Sequence, residues 1–275
     1  MRKLITASFS RLWKEKIFWF VFLIMSIGSV CYNWIGYNEA TKVQIYVEDM
    51  IFCMLPMSGF VFALFISMCL GTEFEEHTIR NKFIVGCSRT QVYFAEYITC
   101  MVASVILMGI MLLVSTAFGM LFSLEFQSGW HELVLLLFCC VLIASVFSAM
   151  FTAISMNVGS KAASLVVSIV FLFAILLVAS FCINALEEEP MTYSNIVITA
   201  EDGVQFGDLI ENSAYIDGTQ RTVYELIADI LPTGQTIQLN NLEFERAARW
   251  PVFSLIMLII ATVAGYLPFR KRDIR

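Results

Sequence analysis

The chain has 275 residues, of which 59% are hydrophobic and only 15% charged, with a mean hydropathy of +0.79. That balance excludes an ordinary soluble domain and places the chain among integral membrane proteins. The net charge of −6 belongs mostly to one face of the chain and gives no reason to expect a nucleic acid partner.

Residues 1–16 read as an amphipathic helix on the membrane. Met1, Leu4, Ile5, Phe9, Leu12 and Trp13 recur at spacings of three and four, with Arg2, Lys3, Arg11 and Lys14 elsewhere on the wheel. A basic topogenic tail is the alternative. Six apolar runs follow, at 17–37, 51–71, 98–122, 133–156, 162–185 and 251–269, each long enough to span a bilayer and free of Lys, Arg, Asp and Glu. The first is too long for an export signal and no small-x-small cleavage site follows it. Pro56 is expected to kink the second span. Ser145, Ala149 and Ala153 make a small-residue row on the fourth, suited to close helix contact within the chain or between subunits. Cys31 and Cys182, near the outer ends of two spans, are within the range of a pairing or are plain buried thiols.

Charge sets the orientation. All the basic residues except Lys42, Arg221, Arg246 and Arg249 fall in segments on one side, including the tail at 270–275. The positive-inside rule makes that side cytoplasmic and puts both termini there, in the plasma membrane. Most of the acids lie opposite. The outer segment, 186–249, carries turn signals at Asp202-Gly203 and Asp217-Gly218 and a strand-like run at 195–199. Thr222 and Glu225 have capping-box spacing for a helix that Pro232 should stop, and Asn241 is a candidate cap for a further helix leading into the last span. The segment is small for an independent domain.

The loop at 72–96 is unusually charged. Its Glu75-Glu76-x-x-x-Arg80 core fits the motif of CAAX-type intramembrane proteases, yet the two histidines, His77 and His131, fall on opposite sides of the membrane, so no catalytic water would be held between them. Ion-coupled transport is disfavoured because the spans hold no ionisable group. On a continuous helix Glu73 and His77, and Glu76 and Arg80, would share faces, with Ile79 and Phe83 making an apolar spot between charges of both signs. That pattern suits docking of a soluble partner as well as a solvated, salt-bridged loop.

The run Glu73 … Thr78-x-Arg80 … Phe83 … Ser88-Arg89 between the second and third spans resembles the permease subunits of type-two ATP-binding-cassette (ABC-2) exporters, the branch of antibiotic, lantibiotic and sodium efflux. Span count, amphipathic start, enlarged last loop and the basic end match across nearly the whole chain; His77, Cys87 and Glu96 stand where that family more often has a small residue, a proline and a lysine. The resemblance implies an all-α fold of six spans. It also implies a second permease subunit, the same or related, and a separate cytosolic ATPase that binds ATP and Mg. A coupling helix within 72–96 would dock on that ATPase through Glu73, Glu75, Glu76, His77, Thr78, Ile79, Arg80, Lys82, Phe83 and Arg89. No Gly-Lys pair, hence no P-loop, occurs in the chain, so it is expected to be a transport subunit without catalytic, metal or cofactor residues. The expected activity is ATP-driven export of an amphiphile: a drug, lipid or antimicrobial peptide. The alternative is a membrane immunity or sensor protein that binds a peptide at its acidic outer segment.

Overall fold

A computed structural model describes residues 2–39, 45–193, 196–199, 203–206 and 208–271. Met1, Lys42, Asn195, Asp202, Arg272 and Arg275, each used in the sequence reading, lie outside them. Six helical segments are long and apolar enough to cross a membrane.

The chain opens with α1 (Arg2–Leu12), then α2 (Lys16–Glu39) as the first span. The apolar face of α1 does not lie free for lipid. Leu12 and Ser8 are buried, Leu4 and Phe9 pack on the same core, and the helix rests along the third span. Trp13 stays about half exposed, its carbonyl accepting a hydrogen bond from Trp19 Nε1 at 3.0 Å. The second span is broken into α3 (Val47–Phe52) and α4 (Leu55–Glu75). Pro56 falls in the first turn of α4, where its missing N–H costs nothing, so the expected kink is a restart just before it. A short helix, α5 (Thr78–Ile84), precedes α6 (Arg89–Leu121), α7 (Trp130–Val158) and α8 (Lys161–Glu187). Gly159, at φ +71°, ends α7 in the left-handed region that an L side chain resists.

The termini of these helices define two ends. The basic end carries α1, α5 and the α7–α8 turn; the acidic end carries the described residues of 186–249. The latter begins with two antiparallel hairpin pairs: β1 (Met191–Tyr193) with β4 (Leu209–Glu211), and β2 (Ile196–Thr199) with β3 (Gly203–Phe206). The strand-like run at 195–199 is thus strand from Ile196. Next come α9 (Gly218–Ile230), α10 (Pro232–Asn240), a 3-10 turn at Ala247–Arg249 and α11 (Trp250–Lys271).

Two expectations for this stretch give way. The helix expected at Thr222 starts a turn earlier after Asp217, and the Thr222 hydroxyl donates to the Gly218 carbonyl instead of capping. Pro232 does end α9, but it also opens α10 at a position where proline is tolerated. Asn241 closes α10 rather than opening another helix. Helix α10 is buried along almost its whole length, against α3, α4, α7 and α8. Thr233 Oγ1 donates to the Ile175 carbonyl at 3.1 Å, twelve residues before α8 ends. At ~1.5 Å per residue that contact lies about 18 Å inside the acidic end of α8.

In lipid the helices gain little from the hydrophobic effect among themselves, so close packing and interhelical hydrogen bonds hold them. A Cβ on Gly71 would lie 2.5 Å from Lys161 Cα, and one on Gly265 would lie 2.3 Å from Ala153 Cβ. The small-residue row on α7 therefore serves contact with α11 inside the chain. Ser67, Ser155 and Ser168 link α4, α7 and α8 through hydroxyl contacts of 3.0 and 3.5 Å. All eight cysteines are free thiols; Cys31 is exposed on α2 and Cys182 is buried on α8.

Candidate functional site

The segment expected as a loop at 72–96 is mostly helix. Helix α4 continues to Glu75, and the chain then turns through His77, whose φ of +56° interrupts the helical path. Helix α5 runs for seven residues to Ile84, and Gly86 at φ +93° reverses the chain. Ser88 starts α6 with a capping box: its hydroxyl accepts from Gln91 N at 3.3 Å, and Gln91 Oε1 accepts from Ser88 N at 3.1 Å.

Because the helix breaks at His77, Glu76 and Arg80 stand on separate elements, and among the described residues no ion pair joins them. The predicted docking residues divide into two groups. Glu73 and Ile79 are buried at 1% exposure, and Lys82 points inward with them. Glu75, Glu76, His77 and Arg80 are exposed; Thr78, Phe83 and Arg89 are half-buried, with the Arg89 guanidinium 6.0 Å from the Phe83 ring centre. The reading of the sequence missed the tip itself. Ile84 and Val85 are 73% and 83% exposed, the most open apolar side chains among the described residues of this end. Their signal was present as an apolar pair immediately before a turn glycine.

Beneath α5 lies a charge cluster drawn from four elements. Glu73 of α4 pairs with Arg11 of α1 and accepts from Lys82 Nζ of α5 at 2.8 Å. Glu96 of α6 accepts from Lys82 Nζ at 2.5 Å and from the Ser8 hydroxyl at 2.9 Å, and lies 4.0 Å from Arg11. Both carboxylates are almost fully buried, at 1% and 2% exposure. Two anions facing two cations is the balance a low-dielectric site tolerates, since each lone buried charge would cost several kcal/mol. Glu15 flanks the cluster 3.3 Å from Arg11; burial pushes its carboxyl above the usual range, and the guanidinium offsets this only in part. Arg11, Ser8 and Glu96 were not placed in the site by sequence, because nothing local shows that residues 11 and 96 meet.

The acidic end has its own polar knot. Asp229 accepts from Trp250 Nε1 at 3.2 Å and faces Arg246 Nε at 3.3 Å; Arg246 also reaches Glu225 at 3.3 Å and donates to Gln238 Oε1 at 2.9 Å. Gln235 donates to the Asp229 carbonyl at 2.6 Å and accepts from the Ser254 hydroxyl at 2.9 Å. These bonds tie α9, α10 and α11 together. Beside them a cavity of about 350 Å³ is lined by apolar Ile183, Leu186, Leu242 and Phe244, by Glu187, Glu243 and Glu245, and by Arg221, Gln238 and Arg246. Burial pushes the Glu243 carboxyl up, and neighbouring Glu187 adds to the rise. A second cavity, about 320 Å³ and lined wholly by apolar groups such as Met150, Phe171 and Met257, opens between α7, α8 and α11.

No protease site forms from the Glu-Glu-x-x-x-Arg pattern. His131 opens α7 at the acidic end, the far end of the bundle from His77, and among the described residues no group of three His, Cys, Asp or Glu side chains could hold a metal. Residues 4–180, more than half of the chain, match the family described as ABC-2 family transporter protein. Among curated proteins, none matches.

Proposed function

Since the chain belongs to the ABC-2 family of transporter proteins, it is a multi-pass membrane permease component of such a transporter and not a catalytic subunit, and we propose that it exports an amphiphilic cargo under the drive of a separate cytosolic ATPase seated on α5. The basic end then faces the cytoplasm, in keeping with the positive-inside rule. The partner ATPase holds the ATP and Mg.

The observation that carries this reading is the surface of α5. An isolated seven-residue helix that holds Ile84 and Val85 out, beside Arg80 and the Glu75–His77 turn, offers an apolar knob within a charged rim. Such a knob gains by entering a groove on a soluble protein, and the rim charges orient the encounter. Glu73, Ile79 and Lys82 have their side chains turned inward, so within the expected docking set they act by fixing α5 in place. Helices α4 and α7 are packed on most sides, whereas α2, α8 and α11 keep open apolar faces. Those faces are left for lipid and for a second permease subunit, the same chain or a related one. The apolar cavity between α7, α8 and α11 favours an amphiphile over a polar solute.

The test is co-expression with the ATPase. Ile84→Ser combined with Val85→Ser, and separately Glu76→Lys combined with Arg80→Glu, are expected to insert in the membrane at normal levels and to lose the ATPase on purification. Retention of the ATPase by both variants at wild-type stoichiometry would remove α5 as its seat.

A second reading has one observation in its favour. The cavity at the far end, where three glutamates stand beside Arg221 and Arg246, would hold a peptide without any motor. Peptide binding to the purified chain that nucleotide and ATPase leave unchanged would favour that reading.

A further inference from the structure

Resting on the reading of the groove between α7, α8 and α11 as an amphiphile site, we infer that its ligand is an anionic phospholipid of the cytoplasmic leaflet. One acyl chain lies in the groove, and the phosphate sits at the basic end between Lys271 and the start of α8.

The groove is built into the helix packing. Helix α11 is fastened to α7, where Gly265 meets Ala153 and Asn157 Nδ2 donates to the carbonyls of Ala153 and Gly265 at 2.7 and 2.8 Å. Helix α8 is drawn the other way, toward α4, by the Ser67–Ser168 hydrogen bond at 3.0 Å and the close approach of Lys161 to Gly71. The space left between α8 and α11 is about 320 Å³, and every side chain lining it is apolar. Val167, Phe171 and Ile260 stand exposed at its lip, so the slot opens sideways to lipid. Its depth fits one leaflet. Ile154 lies four residues from the end of α7 and Met257 fourteen from the end of α11, so at ~1.5 Å per residue the groove runs from about 6 to about 21 Å inside the basic end. That length of about 15 Å is half of a hydrocarbon core of roughly 30 Å. A further span about 10 Å across would displace roughly 1,200 Å³ over the same length, several times the space present. The slot suits a chain, not a helix.

The mouth supplies the charge. Lys271 comes seven residues after Ala264 and fourteen after Met257, so at 3.6 residues per turn it continues the groove face of α11. Arg270, one position earlier, is turned away by about 100°. Helix α8 begins at Lys161 after Ser160, whose hydroxyl makes no capping bond, and the positive end of the helix dipole is left at the same level. Among the described residues neither Lys161 nor Lys271 is paired with a carboxylate. Two uncompensated lysines at the cytoplasmic rim of an apolar slot complement a phosphate and the chain attached to it. A neutral or cationic amphiphile fits the slot but finds no partner for its headgroup.

The experiment is photo-crosslinking of the purified chain in phosphatidylcholine nanodiscs. A trace of phosphatidylglycerol, or of phosphatidylcholine, carries a diazirine near the end of one acyl chain, and labelled groove peptides of α8 and α11 are quantified by mass spectrometry. Phosphatidylglycerol is expected to label the groove about fivefold or more above phosphatidylcholine, the gain that one interfacial cation gives an acidic lipid. Lys271→Gln should cut that signal about fivefold, whereas Arg270→Gln, off the groove face, should leave most of it. Ala264→Phe fills the slot and should remove labelling by both lipids; if it does not insert, Val167→Phe narrows the slot from the opposite wall with the same expected result. The inference is overturned if the two lipids label the wild type equally, if Lys271→Gln keeps the preference whole, or if Arg270→Gln lowers it as far. In those cases labelling of the groove leaves the amphiphile reading standing. No labelling of the wild type by either lipid, or labelling that survives filling of the slot, overturns both.

Discussion

Seven residues of α5 at the basic end and nine of α10 at the acidic end are each a short helix set between two spans, and their surroundings differ in kind. Helix α5 touches the bundle through one face, Ile79 and Lys82, and holds Ile84 and Val85 in the open. Helix α10 is enclosed by α3, α4, α7 and α8 and reaches about 18 Å along α8 from its end. Each is anchored by a carboxylate–cation knot, Glu73 and Glu96 with Arg11 and Lys82 in one case, Asp229 and Glu225 with Arg246 in the other. The difference teaches which end has apolar surface that the chain itself does not cover. Apolar surface left uncovered on an otherwise charged end is where the proposed ATPase would sit, whereas α10 has found its cover inside its own chain.

The contrast is sharpest at two glycines. A Cβ on Gly234 would fall 2.2 Å from the Ala228 carbonyl oxygen, and that backbone cannot move without parting α9 from α10. Gly234→Ala is therefore expected to abolish recovery of monodisperse protein. Gly86→Ala meets nothing in space and bears only the strain of its left-handed backbone, about 1–2 kcal/mol in detergent unfolding. Equal losses at both positions would erase the distinction between a packed and a free helix.

Asp229→Ala comes next. It leaves Arg246 without its most buried partner and Trp250 Nε1 without an acceptor, at a cost on the order of 3 kcal/mol in thermal or denaturant unfolding. Nucleotide-dependent amide hydrogen exchange at α5, in the complex with the ATPase, should persist in this variant. Its loss would mean that the two knots are coupled across the bundle.

The smallest effect is expected at Glu243. Burial and Glu187 hold its carboxyl above the ordinary 4.5 in the folded chain. A raised carboxyl favours the protonated form, so its contribution to stability is present below the unfolded value and is lost as pH rises through the folded one. Glu243→Gln should raise the unfolding temperature slightly at pH 7 and leave it unchanged near pH 4. A fall at pH 7 would show that the carboxylate is held by a cation.

The spans were legible because each is a local property, some twenty apolar residues in a row, and the charges flanking them needed no tertiary information to be sorted by sign. The start of α6 was not read: its Ser88-x-x-Gln91 box lies upstream of the apolar run at 98–122 on which the third span was placed, and Glu96 was left in the loop. Nor was helix α10. Thr233, Gln235, Thr236 and Gln238 have the composition of an aqueous turn, and only their bonds to Ile175, Asp229 and Ser254 make them compatible with burial.

Which members of the proposed docking set are buried was not legible, for a related reason. Spacing of three and four assumes an unbroken helix, and the left-handed turn at His77 rotates α5 relative to α4. That rotation sends Lys82 inward and the Ile84–Val85 tip outward, and no propensity at His77 alone announces it.

By itself the sequence determined that this is a six-span membrane protein with a charged segment between its second and third spans, since hydrophobic length and charge sign are summed along the chain. Only the tertiary structure decided which of those charges are buried and which are exposed. Burial of Glu73 and Glu96 is tolerable only where Arg11 and Lys82 converge on them in space, and that convergence joins residues as far apart as 11 and 96.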